Sequence, residues 1–262
     1  MAESSGKKSR SSRFTLVVYL TLRIIVVAIL VHSLIRGRYE NAGTCLLTLG
    51  LFFLPSLAER KLRIDLPDAL EIMLLLFIFA AEILGELSAW YVRIEGWDTM
   101  LHAVNGFLFS AIGFSLADLL NREKDVQFAL SPFFLSVVAF CFSMTIGVLW
   151  EFFEFGMDRL FLYDMQKDTV IHCFSSVALD PLNRNRAMVV SGITDVAVNG
   201  RSLGVNGYLD IGLIDTMKDL LVNFVGALIF SVIGYVYTKH RGRGKLARHL
   251  IPVVKKHKKD KP

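Results

Sequence analysis

Three groups of residues in this chain have types and spacings suited to chemistry. Asp98 and His102 stand four apart, Glu151, Glu154 and Asp158 follow at i, i+3 and i+7, and Asp215, Asp219 and Asn223 at i, i+4 and i+8. On an α-helix each set falls on one face. Carboxylate, amide and imidazole groups suit Mg²⁺, Mn²⁺, Zn²⁺ or Fe²⁺, and the lack of thiols among them argues against a soft-metal site. The same groups can carry acid–base chemistry. The candidate ligands are Asp98, His102, Glu151, Glu154, Asp215 and Asp219, with His102, Glu151 and Asp219 as the candidate catalytic groups. Glu82 and Glu86, four apart, could add a fourth stripe.

Each residue also has a plainer role open to it. Asp98 and Asp215 stand where aspartates cap helix starts, and Glu86 and Asp158 fit wet helix ends. Asn223 would serve as interhelical glue. Glu151 and Glu154 could be neutralised by Arg159 in a structural network. Arg23 and Arg159 are the cations able to reach in towards the acids, whereas Lys218 points to a different side of its helix from Asp215 and Asp219. His32 and His172 are isolated.

The elements that must position these groups are membrane helices. The 262 residues are 53% hydrophobic with 20 phenylalanines, too apolar for an ordinary soluble domain. A span needs about 20 apolar residues. The expected fold is all-α, a polytopic bundle of about six transmembrane helices: Phe14 to Ile35, Ala42 to Leu57, Leu66 to Leu84, Thr99 to Leu120, Phe128 to Trp150 and Leu213 to Tyr237. A basic stretch, 1–13, precedes this membrane domain, 14–238, and a basic tail, 239–262, follows it. The first span is expected to be retained, since it is long for a signal-peptide core and lacks a small-residue cleavage pattern.

Basic loop residues orient the bundle. With the N-terminus in the cytoplasm, the Arg60, Lys61, Arg63 loop, the Arg122, Lys124 loop and the tail lie inside, and Trp90, Trp97 and Trp150 all fall at the outer interface. Both termini are then cytoplasmic. Span four enters from outside, span five exits there and span six enters again, so the three polar stripes share the outer end. The 160–212 excursion is extracytoplasmic, and Asn199-Gly200 within it signals a two-residue β-hairpin turn. Cys45, Cys141 and Cys173 are too dispersed for a zinc site or a disulfide framework. The net charge of +5 gathers at the two ends, which points to membrane lipids and anionic headgroups as partners and not to nucleic acid.

Asp98-Thr-Met-Leu-His102 with Gly106, Trp150-Glu151-Phe-Phe-Glu154, and Asp215-Thr-Met-Lys-Asp219 running into Asn223 and Gly226-Ala227 resemble the YjdF-type family of uncharacterised bacterial inner-membrane proteins. More loosely, the three helices look like those of VanZ-like proteins, although Glu154 stands where a glutamine is usual there. The motifs cover roughly half of the chain. The resemblance implies a bacterial cytoplasmic membrane and names no reaction. Two functions fit the residues: a metal-assisted or acid–base enzyme acting on a lipid-linked or envelope substrate, or a cation- or proton-binding protein or transporter. A structural membrane subunit is the third.

Overall fold

The computed structural model describes residues 8–62, 64–121, 130–240 and 253–254. Expectations resting on Arg63, Arg122, Lys124, Phe128, the first seven residues and most of the basic tail lie outside the described residues.

The described residues form eight α-helices: α1 (Lys8–Ile35), α2 (Tyr39–Leu51), α3 (Leu54–Leu62), α4 (Asp68–Phe79), α5 (Trp90–Arg93), α6 (Trp97–Asn121), α7 (Pro132–Phe161) and α8 (Leu213–Lys239). Among the described residues, five stretches are long and apolar enough to cross a membrane: Arg13–Ile35, Tyr39–Lys61, Trp97–Asp118, Pro132–Phe161 and Leu213–Lys239. The second of these breaks at Phe52 and Phe53 and resumes as α3, with Pro55 in the first turn, where its missing N–H costs nothing. The expected third span takes another form. After α4 the helix widens without interruption into a π-helical segment, Ala80–Leu87, which carries both Glu82 and Glu86.

The chain divides into two compact units, residues 1–147 with 220–262, and residues 148–219. In the first, Leu70 of α4, Leu108, Ala111 and Phe114 of α6, Leu135 and Ala139 of α7 and Phe230 of α8 form one buried core. A second core joins Leu22 and Val26 of α1, Cys45 and Phe52, Leu75 and Ile78 of α4, and Ile83 of the π segment. Here too a short strand β1 (Ile64–Asp65) pairs antiparallel with β8 (Val253–Val254), so part of the basic tail is held to the loop before α4.

The second unit holds the end of α7, the first turns of α8 and an irregular excursion between them. Three two-stranded antiparallel pairs organise it: β2 (Val170–Ile171) with β7 (Tyr208–Leu209), β3 (Cys173–Ser176) with β4 (Met188–Ser191), and β5 (Ala197–Val198) with β6 (Arg201–Ser202). Between β5 and β6 lie Asn199 and Gly200, both at positive φ (53° and 78°), as a type I′ turn requires.

The helices crossing both units have an inverted burial pattern. On α7, Glu151 and Glu154 are buried while Phe152, Phe153 and Phe155 are exposed; on α8, Asp219 and Asn223 are buried while Leu221, Phe224 and Val225 are exposed. Polar groups inside and aromatic groups outside are what a hydrocarbon solvent selects, since an ionisable side chain facing lipid is costly.

Candidate functional site

Within the first unit, α6 begins at Trp97, so Asp98 lies in its first turn and His102 one turn further. The His102 Nε2 and an Asp98 carboxylate oxygen are 3.5 Å apart, with the imidazole buried and the carboxylate partly exposed. Trp97 packs edge-on against Trp90 of α5, with ring centroids 4.6 Å apart.

One turn below His102, α6, α7 and α8 meet in a polar layer. Asn223 of α8 is fully buried; its Oδ1 accepts from Asn105 of α6 at 3.1 Å, and its Nδ2 faces the Met144 sulfur at 3.6 Å. Ser143 of α7 donates to the Gly106 carbonyl at 2.7 Å. The helices approach closely because of their glycines. A Cβ on Gly106 would overlap the Asn223 carbonyl oxygen and lie 2.9 Å from its carbon, and one on Gly147 would lie 2.6 Å from Asn223 Nδ2. Gly226 is as tight, since a Cβ there would overlap the Ala103 carbonyl oxygen. Lower still, Ser110 bonds the Ala227 carbonyl at 3.2 Å and the Ser231 hydroxyl at 3.0 Å. Asn105, Ser143 and Ser110 were not among the residues singled out in the sequence; the available signal was a side-chain amide or hydroxyl inside an apolar span.

Asp219 is buried and belongs to the α8 turn that ends at Asn223. Asp98 and His102, one turn apart on α6, offer a carboxylate oxygen and an imidazole nitrogen of the kind that bind a metal ion, and the Asp219 carboxylate is a donor of the same kind on α8.

In the second unit, Glu151 is 4% and Glu154 6% exposed. Glu154 Oε1 accepts from the Trp150 indole at 2.8 Å. Arg159, for which neutralising this pair was one open role, stacks on Phe155, 5.7 Å from the ring centre. Phe155 lies four residues before Arg159, one helical turn back, which is the direction in which a helical side chain leans. Arg23 is likewise committed elsewhere, against Tyr19 and Phe53.

Three other acids of this unit, Asp158, Asp210 and Asp215, tie the excursion to its helices. Asp158 accepts from the Met165 and Gln166 amides at 2.6 and 2.9 Å, Asp215 from the Lys167 amide at 2.8 Å, and Asp210 from the Thr169 and Ile214 amides at 2.7 Å each. Gln166 also donates to the Thr216 hydroxyl at 2.6 Å. The partners of Asp158 and Asp215 are thus loop amides seven to 48 residues away, which helical spacing could not reveal. Asp168, in this acidic turn, has its carboxyl pushed above the ordinary range, first by desolvation and then by Asp164 and Asp210. Asp180 goes the other way: the amides of Leu182, Arg184 and Arg186 and the Arg184 guanidinium hold it below that range. His172 contacts the Ile193 carbonyl at 2.9 Å.

A family model described as "Predicted membrane protein (DUF2238)" matches residues 18–240. An "Uncharacterized protein" of Thermotoga maritima is 28% identical over 163 residues, which are 61% of this chain and 79% of that one. No solved structure matches. The YjdF-type resemblance accords with the family match, while the likeness to VanZ-like proteins rests on the motifs alone. With the match running from within α1 to the end of α8, over apolar helices that bury acids and expose phenylalanines, the chain belongs to the DUF2238 family of predicted membrane proteins.

Proposed function

We propose that this protein is a membrane enzyme whose carboxylate and histidine site lies near the outer face of a bacterial cytoplasmic membrane and acts on a lipid-linked or envelope substrate. Six spans, the sixth being α4 with its π-helical continuation, put both termini in the cytoplasm and the hairpin-bearing excursion outside.

The observation that carries the reading is the layer where Gly106, Gly147 and Asn223 meet. From that layer, one helical turn in the same direction leads to His102 on α6, Glu151 on α7 and Asp219 on α8. Helix phase therefore supports these three, with Asp98 above His102 and Glu154 beside Glu151, as one set of groups. Asp215 stands one turn further out, at the rim. Two hard oxygen donors and one imidazole fit Mg²⁺, Mn²⁺, Zn²⁺ or Fe²⁺. Such an ion would polarise a phosphoryl or carbonyl oxygen or lower the pKa of a bound water. His102, oriented by Asp98, would hold or move a proton at its ring nitrogen.

The second reading, cation or proton transport, needs a route onward to the other face. Beneath the layer the helices are held close at Gly106 and Gly226 and bury Leu108, Phe114 and Phe230 beside the hydroxyl pair of Ser110 and Ser231, which favours the enzyme.

Thermal unfolding in detergent tests the site, with and without Mn²⁺, Mg²⁺ or Zn²⁺. An ion at a hundredfold its Kd stabilises the folded chain by about 2.7 kcal/mol. The parent should show a metal-dependent rise in Tm that Asp219→Asn, Glu151→Gln and His102→Ala lose. Equal rises in all four would place the ion elsewhere and return these residues to structural roles.

A further inference from the structure

Arg23 lies in the middle of the first crossing stretch, ten residues from its start at Arg13, or about 15 Å along the helix. Helical side chains lean towards the N-terminus, and this one does: its Cζ sits 4.2 Å from the centre of the Tyr19 ring, one turn back, and 4.2 Å from that of Phe53, at the junction of α2 and α3. Two rings thus cover the guanidinium, and cation–π attraction accounts for its position. They leave its hydrogen bonds unmade. Nε and Nη2 are enclosed and have no hydrogen-bond acceptor among the described residues.

Those two nitrogens share one edge of the guanidinium and form the side-on fork that grips a carboxylate or phosphate through two parallel N–H···O bonds. An enclosed guanidinium edge left empty is costly, and an oxyanion seated on it offsets part of that cost. The surroundings say which oxyanion. Arg13 at the start of the crossing stretch and Arg60 and Lys61 in the last turn of α3 are exposed at the same end of the first unit, where Thr15 also bonds Asp68 at 3.1 Å. Exposed cations there gather anionic headgroups. Between them and Arg23 the surface is apolar and open: Leu16, Leu20, Phe53 and Leu57 are 47–55% exposed, as acyl-chain contacts are.

We propose that Arg23, Tyr19 and Phe53 form a binding site for the phosphodiester of an anionic phospholipid. The half-exposed Phe53 ring is the wall that turns to admit it, and its acyl chains lie along α1 and α3. This site is independent of the acids near Asp98 and His102, and its test does not depend on the function assigned to them.

The full-length protein in a neutral detergent is titrated with short-chain phosphatidylglycerol, with phosphatidylcholine of equal chain length, or with inorganic phosphate. Retained lipid is read by native mass spectrometry and Tm by thermal unfolding. In the parent, phosphatidylglycerol should be retained and raise Tm, and the other two should not. Arg23→Lys keeps the charge but not the fork, and its affinity should fall roughly tenfold or more, as expected for a lost charge-assisted bond. Arg36→Gln, just beyond the other end of α1, should behave as the parent. Parent-like retention in Arg23→Lys, equal effects of phosphatidylcholine, or an equal rise in Tm with inorganic phosphate would each overturn the lipid site. Arg23→Met is the stronger variant; Arg23→Lys decides the matter if that one does not fold.

Discussion

Gly106→Ala should destabilise the α6–α8 contact severely. The added Cβ would overlap the Asn223 carbonyl oxygen and lie 2.9 Å from its carbon and 3.0 Å from the Ala227 nitrogen. Carbon contacts are comfortable at about 3.5–4.0 Å, so the two backbones must part by roughly 0.5–1 Å. Both neighbours, the Asn223 carbonyl and the Ala227 nitrogen, are backbone atoms that cannot swing away. Overpacking of this kind costs about 1–3 kcal/mol. Parting the helices also stretches the Asn105 to Asn223 bond at 3.1 Å and the Ser143 to Gly106 bond at 2.7 Å, each worth about 1 kcal/mol. A total loss of about 3–5 kcal/mol follows. The assay is equilibrium unfolding in mixed micelles, with Gly43→Ala as control. Gly43 lies inside α2 with nothing within 4 Å of its would-be Cβ, so alanine there should stabilise by about 0.5–1 kcal/mol. Opposite signs at two helix glycines are the signature of close approach. Gly226→Ala demands the same parting from the other helix, so the double variant should cost less than the sum. A loss at Gly106 below about 0.5 kcal/mol, or strict additivity with Gly226→Ala, would refute the close packing.

Tm should rise with Mn²⁺, Mg²⁺ or Zn²⁺ in the parent and not in Asp219→Asn, and with phosphatidylglycerol in the parent far more than in Arg23→Lys. The excursion should respond to pH with a definite sign. Asp168 binds its proton more readily folded than unfolded, so the stability it contributes rises as pH falls through its raised value. Asp180, held low, keeps its contribution until the pH drops below the ordinary carboxylate range. Unfolding followed from about pH 7 down to about pH 4 should therefore show a slope that Asp168→Asn flattens; an unchanged slope would acquit Asp168. For topology, Asn199→Cys in the β5–β6 turn should react with a membrane-impermeant thiol reagent in intact cells. Reaction only after lysis would turn the bundle over and put the acid–histidine site on the cytoplasmic side.

Much was legible in the sequence because its causes are local. Apolar length sets α1, α6, α7 and α8 as crossing helices, and Asn199-Gly200 has the positive φ values that this dipeptide tolerates. The i, i+4 spacing places Asp98 against His102 on a single helix, and the same rule sets Asp219 over Asn223. Where the partner is distant, sequence was silent. The pairing of β1 with β8 depends on neighbours far along the chain. So do the choices made by polar side chains. Arg159 turned to Phe155 and Arg23 to Tyr19 and Phe53, although charge alone pointed both at the acids. Asp158 and Asp215 share helical spacing with Glu151 and Asp219 yet bind loop amides. Spacing determines which face of a helix a residue occupies; what that face meets is decided by packing, here by how closely Gly106, Gly147 and Gly226 let three helices approach around Asn223.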